Sequence, residues 1–514
     1  MGKRFVAILP PVKRDSAELQ PRALKGSGYG RYMPRLQTLR GTIVIEVNKR
    51  MWLTGAALLA LPGIAFAQAK APANLLPPEK PAIKAEKLAS PDEVTASIDA
   101  MGQKAEMAAT VQPVTPLVQT WTVADARALA GVIASIGAEG LDPKDYQPAE
   151  LDRAIAGGPG AALNEAASRS FAWLVEDLRD GRTPMDARKQ WFVVDPDPDR
   201  YRTGDIMAEA LAKHSVAASL MALNPGHPDY AALKAELAAT TVPAKRKLIR
   251  ANMDRWRWLA RDLGNQYLLT NVPEYQLRLT VNHKIISTYK TIVGKPGRTA
   301  TPQLAETVEG VIFNPTWTVP QSIVKGEGLG AKVLGNPGWA KAAGYKGWKD
   351  KETGFVTVVQ QPGANNSLGL MKVDMPNPHA IFLHDTPNRN LFNQENRALS
   401  HGCIRTERAQ ELAITIAILG NLANTPETRK AAADEAVAIS TSGKYTRVPV
   451  QKSMPVYITY FTMGRDISGK LREFNDIYGR DAPVLASFDK PREQNRARAT
   501  SEEAVEIVDD LQTT

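Results

Sequence analysis

The stretch ALSHGCIRTE, residues 398–407, contains side chains that could carry out covalent chemistry. Its Cys403 is the only cysteine in 514 residues, so it has no partner within the chain for a disulfide bond. Two histidines lie near it in sequence: His401 in the same stretch, and His384 at the end of the apolar run HAIFLHD. A free thiol is only a few per cent ionised at neutral pH, and an adjacent imidazole corrects that shortage. The pattern therefore indicates acyl transfer by a cysteine–histidine pair.

The residues that flank the cysteine suit the same chemistry. Gly402 has no side chain, so a substrate can approach the backbone closely, and the amides of Gly402 and Cys403 are candidate oxyanion donors. Arg405 is a candidate partner for a substrate carboxylate. The segment RTERAQELAITIAIL predicts a helix with Thr406 as its candidate N-cap. The positive end of such a helix would lower the pKa of the Cys403 thiol.

Three other roles for the cysteine remain open from the residues alone. His384, His401 and Cys403 are zinc-ligand types, but their spacing lacks the usual pairing and offers no evident fourth ligand. Cys403 could also be an apolar filler of the core, although its neighbours are polar, or a redox thiol without transfer chemistry. His379, two residues before the apolar centre of HAIFLHD, is interpreted as structural.

The spacing and order of these residues resemble the signature of the YkuD-type L,D-transpeptidases. His384 is followed after fifteen residues by Ser400-His401-Gly402-Cys403-Ile404-Arg405, and the similarity extends over roughly residues 95–480. The large periplasmic members, which carry a scaffold domain, are the most similar in their flanking segments. The resemblance implies a multidomain α+β chain: a β-rich YkuD-like catalytic domain with a capping subdomain, preceded by an α-helical scaffold domain.

The resemblance also implies a role for each residue of the signature. His384 matches the general base, and Asp385 matches the residue whose backbone carbonyl orients that imidazole. His401, Gly402 and the amide of Cys403 match the oxyanion region. Ser400 and Arg405 match positions near the substrate, where a structural role for Arg405 stays open.

The reaction implied is attack of Cys403 on the bond between diaminopimelate and the terminal D-Ala of a peptidoglycan tetrapeptide stem. D-Ala leaves, and the diaminopimelate amine of a second stem takes the acyl group to give a 3→3 crosslink. The same acyl-enzyme could instead serve an L,D-carboxypeptidase or attach a protein lysine to the wall, and a non-catalytic cell-wall scaffold is the alternative from another class. The resemblance implies acylation by carbapenems and no metal or organic cofactor. Other cell-wall enzymes are candidate partners.

The elements that would position this chemistry fall into two zones. Helical patterns run from about residue 120 to 242, with an apolar stripe in NEAASRSFAWLVEDLRDGR and a candidate C-cap at Gly140. A further helical pattern covers residues 245–263, and β-branched and aromatic runs then recur from residue 266, which predicts a β-rich unit. Residues 317–350, rich in Gly, Pro and Trp, look too irregular for a sheet; a mobile flap and a surface insertion are both open, and the resemblance favours the cap.

The charge of +10 does not indicate a nucleic-acid partner. Residues 1–67 contain 11 Lys and Arg but only 3 Asp and Glu, so the rest of the chain is nearly neutral. Residues 49–67 have the layout of a secretory signal, which predicts a periplasmic protein, with an uncleaved membrane anchor as the weaker alternative. The predicted organisation begins with a leader at 1–67, and its upstream part is interpreted as a misassigned start. A Pro/Ala-rich linker at 68–95 and a scaffold domain at 96–244 follow. The catalytic domain is predicted at 245–480, with its cap at 317–350, and a loosely attached polar tail at 481–514. No peptidoglycan-binding module fits between scaffold and catalytic domain, so how glycan is held is unexplained.

Overall fold

The computed structural model describes residues 117–193, 197–421 and 425–492. The predicted leader and linker lie outside these residues, as do positions 96–116 of the predicted scaffold domain and positions 493–514 of the predicted tail. Across the described ranges, no helix is long and apolar enough to cross a membrane.

Helices make up the first part of the described chain, as the periodicity predicts. Short 3-10 turns at Ile136–Glu139, Pro143–Tyr146 and Met185–Ala187 separate some of them. The α-helices are α1 (Val123–Ser135), α2 (Pro148–Gly157), α3 (Ala161–Asp180), α4 (Asp197–Arg200), α5 (Thr203–Ala212), α6 (Val216–Met221), α7 (Pro228–Ala239) and α8 (Pro243–Trp256).

Local sequence explains where these helices begin, end and pack. Thr122 caps α1 by accepting a hydrogen bond from the Asp125 N–H, and Gly140 ends the following 3-10 turn in the left-handed region, at φ 78°. The apolar stripe of α3 is fully buried at Phe171, Leu174 and Leu178. The helical prediction for 245–263 is wrong at its end: α8 stops at Trp256, and the Trp258 indole turns back to donate to Asp254.

Strands follow from residue 266 to 473. Asn282 and His283 form a hairpin turn between two of these strands, and both lie in the left-handed region that a type I′ turn requires. The strands are β1 (Gln266–Asn271), β2 (Gln276–Val281), β3 (Lys284–Gly294), β4 (Leu304–Thr307), β5 (Gly310–Phe313), β6 (Trp317–Thr318), β7 (Tyr345–Lys349), β8 (Val356–Gln360), β9 (Met371–Asp374), β10 (Leu383–His384), β11 (Ala398–Ser400), β12 (Ile404–Thr406), β13 (Thr446–Pro449), β14 (Pro455–Thr459), β15 (Met463–Arg465) and β16 (Leu471–Glu473).

Eleven of these strands form one sheet in the order β13-β5-β9-β10-β12-β3-β2-β1-β14-β4, with β11 paired to β3. Helix α11 (Ala409–Gly420) packs on one face of the sheet, and its Leu412 and Ile416 are buried in the same core cluster as Leu383 and Ile404. Helix α12 (Pro426–Thr441) packs beside α11. Because side chains alternate along a strand, the residues next to Leu383 and Ile404 turn to the opposite face of the sheet. The α+β class, with helices first and a β-rich domain second, is confirmed.

Residues 317–360 form a small unit with its own core, which we call the cap. Strands β6, β8 and β7 pair into a three-stranded sheet, and the helices α9 (Leu329–Gly335) and α10 (Pro337–Ala342) pack on it around buried Val333 and Val358. The expectation that 317–350 is too irregular for a sheet is therefore wrong. The partner strand β8 lies just beyond residue 350, so the pairing that orders the segment was not visible within it.

The start of the predicted loose tail is also packed, which corrects that expectation. Residues 481–488 form helix α13 (Asp481–Phe488), whose Val484 is buried. Arg492 is buried as well and forms ion pairs with Glu176 at 2.5 Å and Asp177 at 3.1 Å, on α3. Arg492, one of the charged residues that suggested a solvated tail, is thus paired with acidic residues distant in sequence.

Candidate active site

Two neighbouring parallel strands bring Cys403 and His384 together. In the pairing of β10 with β12, Leu383 lies opposite Ile404 and His384 opposite Arg405, and the Ile404 N–H donates to the Phe382 carbonyl at 3.0 Å. Cys403 is therefore level with Phe382, one side-chain repeat from His384 and on the same face of the sheet. Strand spacing and residue rise place the two Cα atoms about 8 Å apart, close enough for the side chains to meet.

The Cys403 sulfur is half-buried and not sealed in the core. Its thiol donates to the Ala380 carbonyl at 3.5 Å, and Ala380 lies in a turn with φ 51°. The Asn377 side chain holds this turn by bonding to both backbone groups of Ile381. His379, in the same turn, stacks on Phe192 with 4.0 Å between ring centroids, which fits the structural role predicted for it.

His384 lies in a row of charged neighbours that crosses three strands. The register places Lys372 of β9 on one side of it and Arg405 of β12 on the other. Burial, and then the charge of Arg405, lowers the pKa of His384 to about 3, while backbone groups of Asp385 and Leu368 act in the opposite direction. The ring is therefore neutral at neutral pH. Its Nδ1 is buried without a hydrogen-bond partner in the described part of the chain.

The prediction of a lowered thiol pKa is wrong. Burial raises the pKa of Cys403, and the Phe382 N–H and the charges of Lys372 and Arg405 only oppose that effect. The expected helix terminus is absent from the site because Thr406 ends strand β12, and α11 begins at Ala409 with Arg408 as its N-cap. The resting pair is accordingly a neutral thiol beside a neutral imidazole.

Alkylation kinetics test this protonation state. We expect the rate of Cys403 alkylation by iodoacetamide to keep rising with pH beyond about 8.5, the ordinary thiol pKa, because the buried thiol ionises late. The rate can be followed by intact mass, since the chain has no other cysteine, and Cys403→Ala provides the blank. A rate that is already maximal at pH 6 would reveal an ionised thiolate–imidazolium pair and contradict this picture.

The turn that carries the cysteine is held by hydrogen bonds of its own. Ser400 is buried; its Oγ accepts from the Gly402 N–H at 3.1 Å and donates to the Cys403 carbonyl at 2.6 Å. The Thr301 hydroxyl donates to the Gly402 carbonyl at 2.7 Å. Gly402 has φ 118°, which favours glycine. Ser400 therefore shapes the turn, and the Gly402 amide can serve an oxyanion only after it leaves the Ser400 oxygen.

His401 and Arg405 differ in their surroundings. The His401 side chain is exposed, and its Nε2 lies 3.6 Å from Glu327 of the cap, so the cap approaches the cysteine turn. Arg405 is partly buried next to His384, and its Nε lacks a hydrogen-bond partner within the described ranges. In those ranges no group of three or more His, Cys, Asp or Glu residues is arranged to hold a metal ion.

Sequence reasoning missed two contributors to the site. Lys372 lies beside His384, and its Nζ is 4.1 Å from the centroid of the Phe382 ring. The buried Asp385 carboxylate, which was not assigned a role, accepts hydrogen bonds from the Leu370 N–H at 2.9 Å and from Arg389 at 3.0 Å. The carboxylate thereby fixes the loop that contains Leu368, whose backbone hydrogen bond raises the pKa of His384. The local sequence offered one signal of this loop, which is Gly369 in SLGLM.

Gly369→Ala is expected to disturb this loop. Gly369 has φ 63°, and an added Cβ would lie 2.4 Å from the Asp385 carboxylate, so the contact with Leu370 must give way. We expect catalysis to fall by up to about 100-fold, as misplacing a catalytic group can do. The matched control is Gly344→Ala, which has φ 76° and open space around the added atom. Equal activity losses in both variants would mean that backbone strain alone is responsible.

Comparison with known protein families gives two matches along the chain. Residues 265–458 match YkuD, described as the L,D-transpeptidase catalytic domain, and residues 119–237 match the family described as the Scaffold domain. The chain is also similar to a Haemophilus influenzae protein named "Putative L,D-transpeptidase", with 32% identity over 231 residues. That match covers 42% of this chain and 45% of the relative, so the chain spans less than half of the relative's length.

Two solved structures show a weaker likeness. One is an L,D-transpeptidase from Mycobacterium smegmatis, with 14% identity, 38% of this chain and 58% of that chain covered, and a TM-score of 0.18. The other is the Ldtfm-avibactam carbamoyl enzyme, with 12% identity, coverages of 38% and 49%, and a TM-score of 0.18. Scores this low support no further conclusion.

Proposed function

We propose that this chain, whose residues 265–458 match the L,D-transpeptidase catalytic domain and whose residues 119–237 match the Scaffold domain, is a periplasmic enzyme that crosslinks peptidoglycan through an acylated Cys403. The observation that supports the proposal most is the β10–β12 register, which puts the sole cysteine and a neutral histidine on one face of the sheet within the matched domain. A scaffold protein with an incidental thiol would not need that arrangement.

The proposed first half-reaction forms a thioester. The Cys403 Sγ attacks the carbonyl of diaminopimelate that is joined to D-Ala in a tetrapeptide stem, while His384 takes the thiol proton. The tetrahedral oxyanion is stabilised by the Cys403 N–H and, once Ser400 releases it, the Gly402 N–H. The C–N bond breaks, the proton passes from His384 to the leaving nitrogen, and D-Ala departs. Arg405 and Lys372 supply positive charge for stem carboxylates.

The proposed second half-reaction transfers the acyl group. The side-chain amine of a second stem's diaminopimelate attacks the thioester, loses a proton to His384 and forms the 3→3 crosslink, which regenerates the thiol. Water as acceptor would give a carboxypeptidase, and a protein lysine would give wall attachment, through the same acyl-enzyme. The partial exposure of Cys403 and of the His401–Glu327 contact with the cap is compatible with the approach of a second stem.

The experiment that tests the proposed function is digestion and mass analysis of tetrapeptide-rich sacculi incubated with the purified protein. The proposal predicts crosslinked dimers that have lost one D-Ala per crosslink. Tripeptides without dimers would favour hydrolysis. An unchanged muropeptide profile would favour the alternative of a non-catalytic scaffold protein. As an independent arm, a carbapenem is expected to add once to the protein, at Cys403, through the same attack of sulfur on a carbonyl.

A further inference from the structure

A cavity of about 620 Å³ lies away from the reacting residues, where the helices meet the sheet. Its walls come from the start of α7, the end of α8, the outward face of β1 and β2, and the β15–β16 hairpin. Neither Cys403 nor His384 lines it. We propose that this cavity binds a neutral sugar segment of the peptidoglycan glycan strand; the identity of the polymer rests on the proposed function.

An aromatic column at the cavity wall is the first feature that indicates a sugar. The His227 ring stacks on Trp256 at 4.1 Å and 16°, and Trp256 stacks on Phe461 at 4.4 Å and 18°. The two inner rings are buried, whereas a quarter of the His227 side chain is exposed, so His227 forms the outer end of the column. Burial lowers the pKa of His227 to about 4, which keeps the ring neutral. A flat neutral ring in a cavity wall suits the C–H face of a pyranose.

Fixed polar groups around the column are the second feature. Arg278 pairs with the nearly buried Glu274 at 2.7 Å, and burial raises the pKa of both Glu274 and Asp229. Because guanidinium and carboxylate groups offset one another here, a neutral ligand with many hydroxyls fits better than a polyanion.

The position of the cavity indicates which part of the polymer would occupy it. Arg278 lies opposite Thr288 of β3, and Ile292 of β3 lies opposite Arg405, so cavity and cysteine share the outward face of the sheet. The strand spacing and rise place Cys403 about 20 Å from Arg278 along the sheet. Three extended residues of a reacting stem span only about 11 Å. The occupant is therefore a sugar farther along the strand than the one that bears the reacting stem.

This position answers how glycan could be held without a dedicated binding module. His227 of the matched Scaffold region lines this cavity together with Trp256, Glu274 and Arg278 of the predicted catalytic domain. A glycan strand held there would pass along the face of the sheet that carries Cys403, toward the cysteine turn. The enzyme would then keep hold of one glycan strand during several acyl transfers.

The test compares binding of stem-free glycan strands, prepared by amidase digestion, to the Cys403→Ala protein with and without His227→Asn. Asparagine retains a cap for α7, where His227 accepts the Asp229 N–H, but removes the stacking ring. We expect at least a tenfold loss of affinity in a titration. Glu274→Gln is a second variant with the same expectation. The matched control is His214→Asn, a histidine outside the cavity, whose affinity should not change.

The outcomes separate this inference from the proposed function. Stem-free glycan that fails to bind, binds equally to all variants, or is displaced by free tetrapeptide would overturn the cavity assignment. Carbapenem addition to Cys403 in the His227→Asn protein is expected to match that of the unmodified enzyme. If that addition is absent even from the unmodified protein, the proposed chemistry fails, whatever the glycan result.

Discussion

Replacement of Cys403 by alanine is expected to abolish the formation of crosslinked muropeptides, with a loss of about 10⁴-fold or more, because no other thiol in the chain can carry the acyl group. The measurement is the rate of dimer formation from tetrapeptide stems. Since Cys403 is only partly buried and its hydrogen bond to the Ala380 carbonyl is long, the variant should unfold at nearly the temperature of the unmodified protein.

Cys403→Ser refines this first prediction. A serine hydroxyl is far less acidic than a thiol, and the neutral imidazole of His384 is a weak base for it, so we expect stem binding without crosslinking. The comparison separates substrate binding from chemistry, because serine differs from cysteine by one atom. Crosslinking by the serine variant at more than a few per cent of the original rate would rule out a mechanism that depends on sulfur.

Replacement of His384 by glutamine is expected to slow acylation by about 10²–10⁴-fold, the usual contribution of a general base. The physical reason is the raised pKa of Cys403: the thiol must lose its proton during attack, and His384 is its neighbour on the sheet face. The rate of carbapenem addition, read by intact mass, isolates this step from acceptor binding. His214→Gln, far along the scaffold helices, is the matched control and should react normally.

The same side chain sets the acid side of the pH profile. Because burial lowers the pKa of His384 to about 3, the ring remains an available base throughout the range in which an ordinary histidine, near pKa 6.5, would be protonated. We therefore expect no loss of acylation rate centred near pH 6.5. An inflection at that pH, removed by His384→Gln, would show that the ring titrates normally. It would contradict the lowered pKa that burial gives His384.

The candidate site residues could be proposed from the sequence because their signals are local. A single cysteine, the histidine that ends HAIFLHD and the glycine between His401 and Cys403 are all visible within one short segment. The helical and strand patterns were visible for the same reason, since amphipathic periodicity depends on neighbouring residues. The Asn282-His283 turn is an example: two residues with left-handed tolerance between two β-rich runs form the hairpin observed.

The errors arose where partners distant in sequence decide the structure. Thr406 has the local features of an N-cap, but pairing of its segment with β3 and β10 makes it the end of a strand. That change removes the helix dipole that was expected to lower the pKa of Cys403, and burial raises that pKa instead. Of the extended run HAIFLHD, only Leu383 and His384 form a strand, and Lys372 joins the site only through their register with β9. No local pattern contains that information.

Acylation of Cys403 can be observed from the mass of the protein quenched with acid during turnover of a disaccharide-tetrapeptide. We expect an adduct equal to the donor minus D-Ala, located on the peptide that contains Cys403 and removed by hydroxylamine as a thioester would be. Release of D-Ala with no adduct on that peptide, or the same adduct on the Cys403→Ala protein, would contradict it.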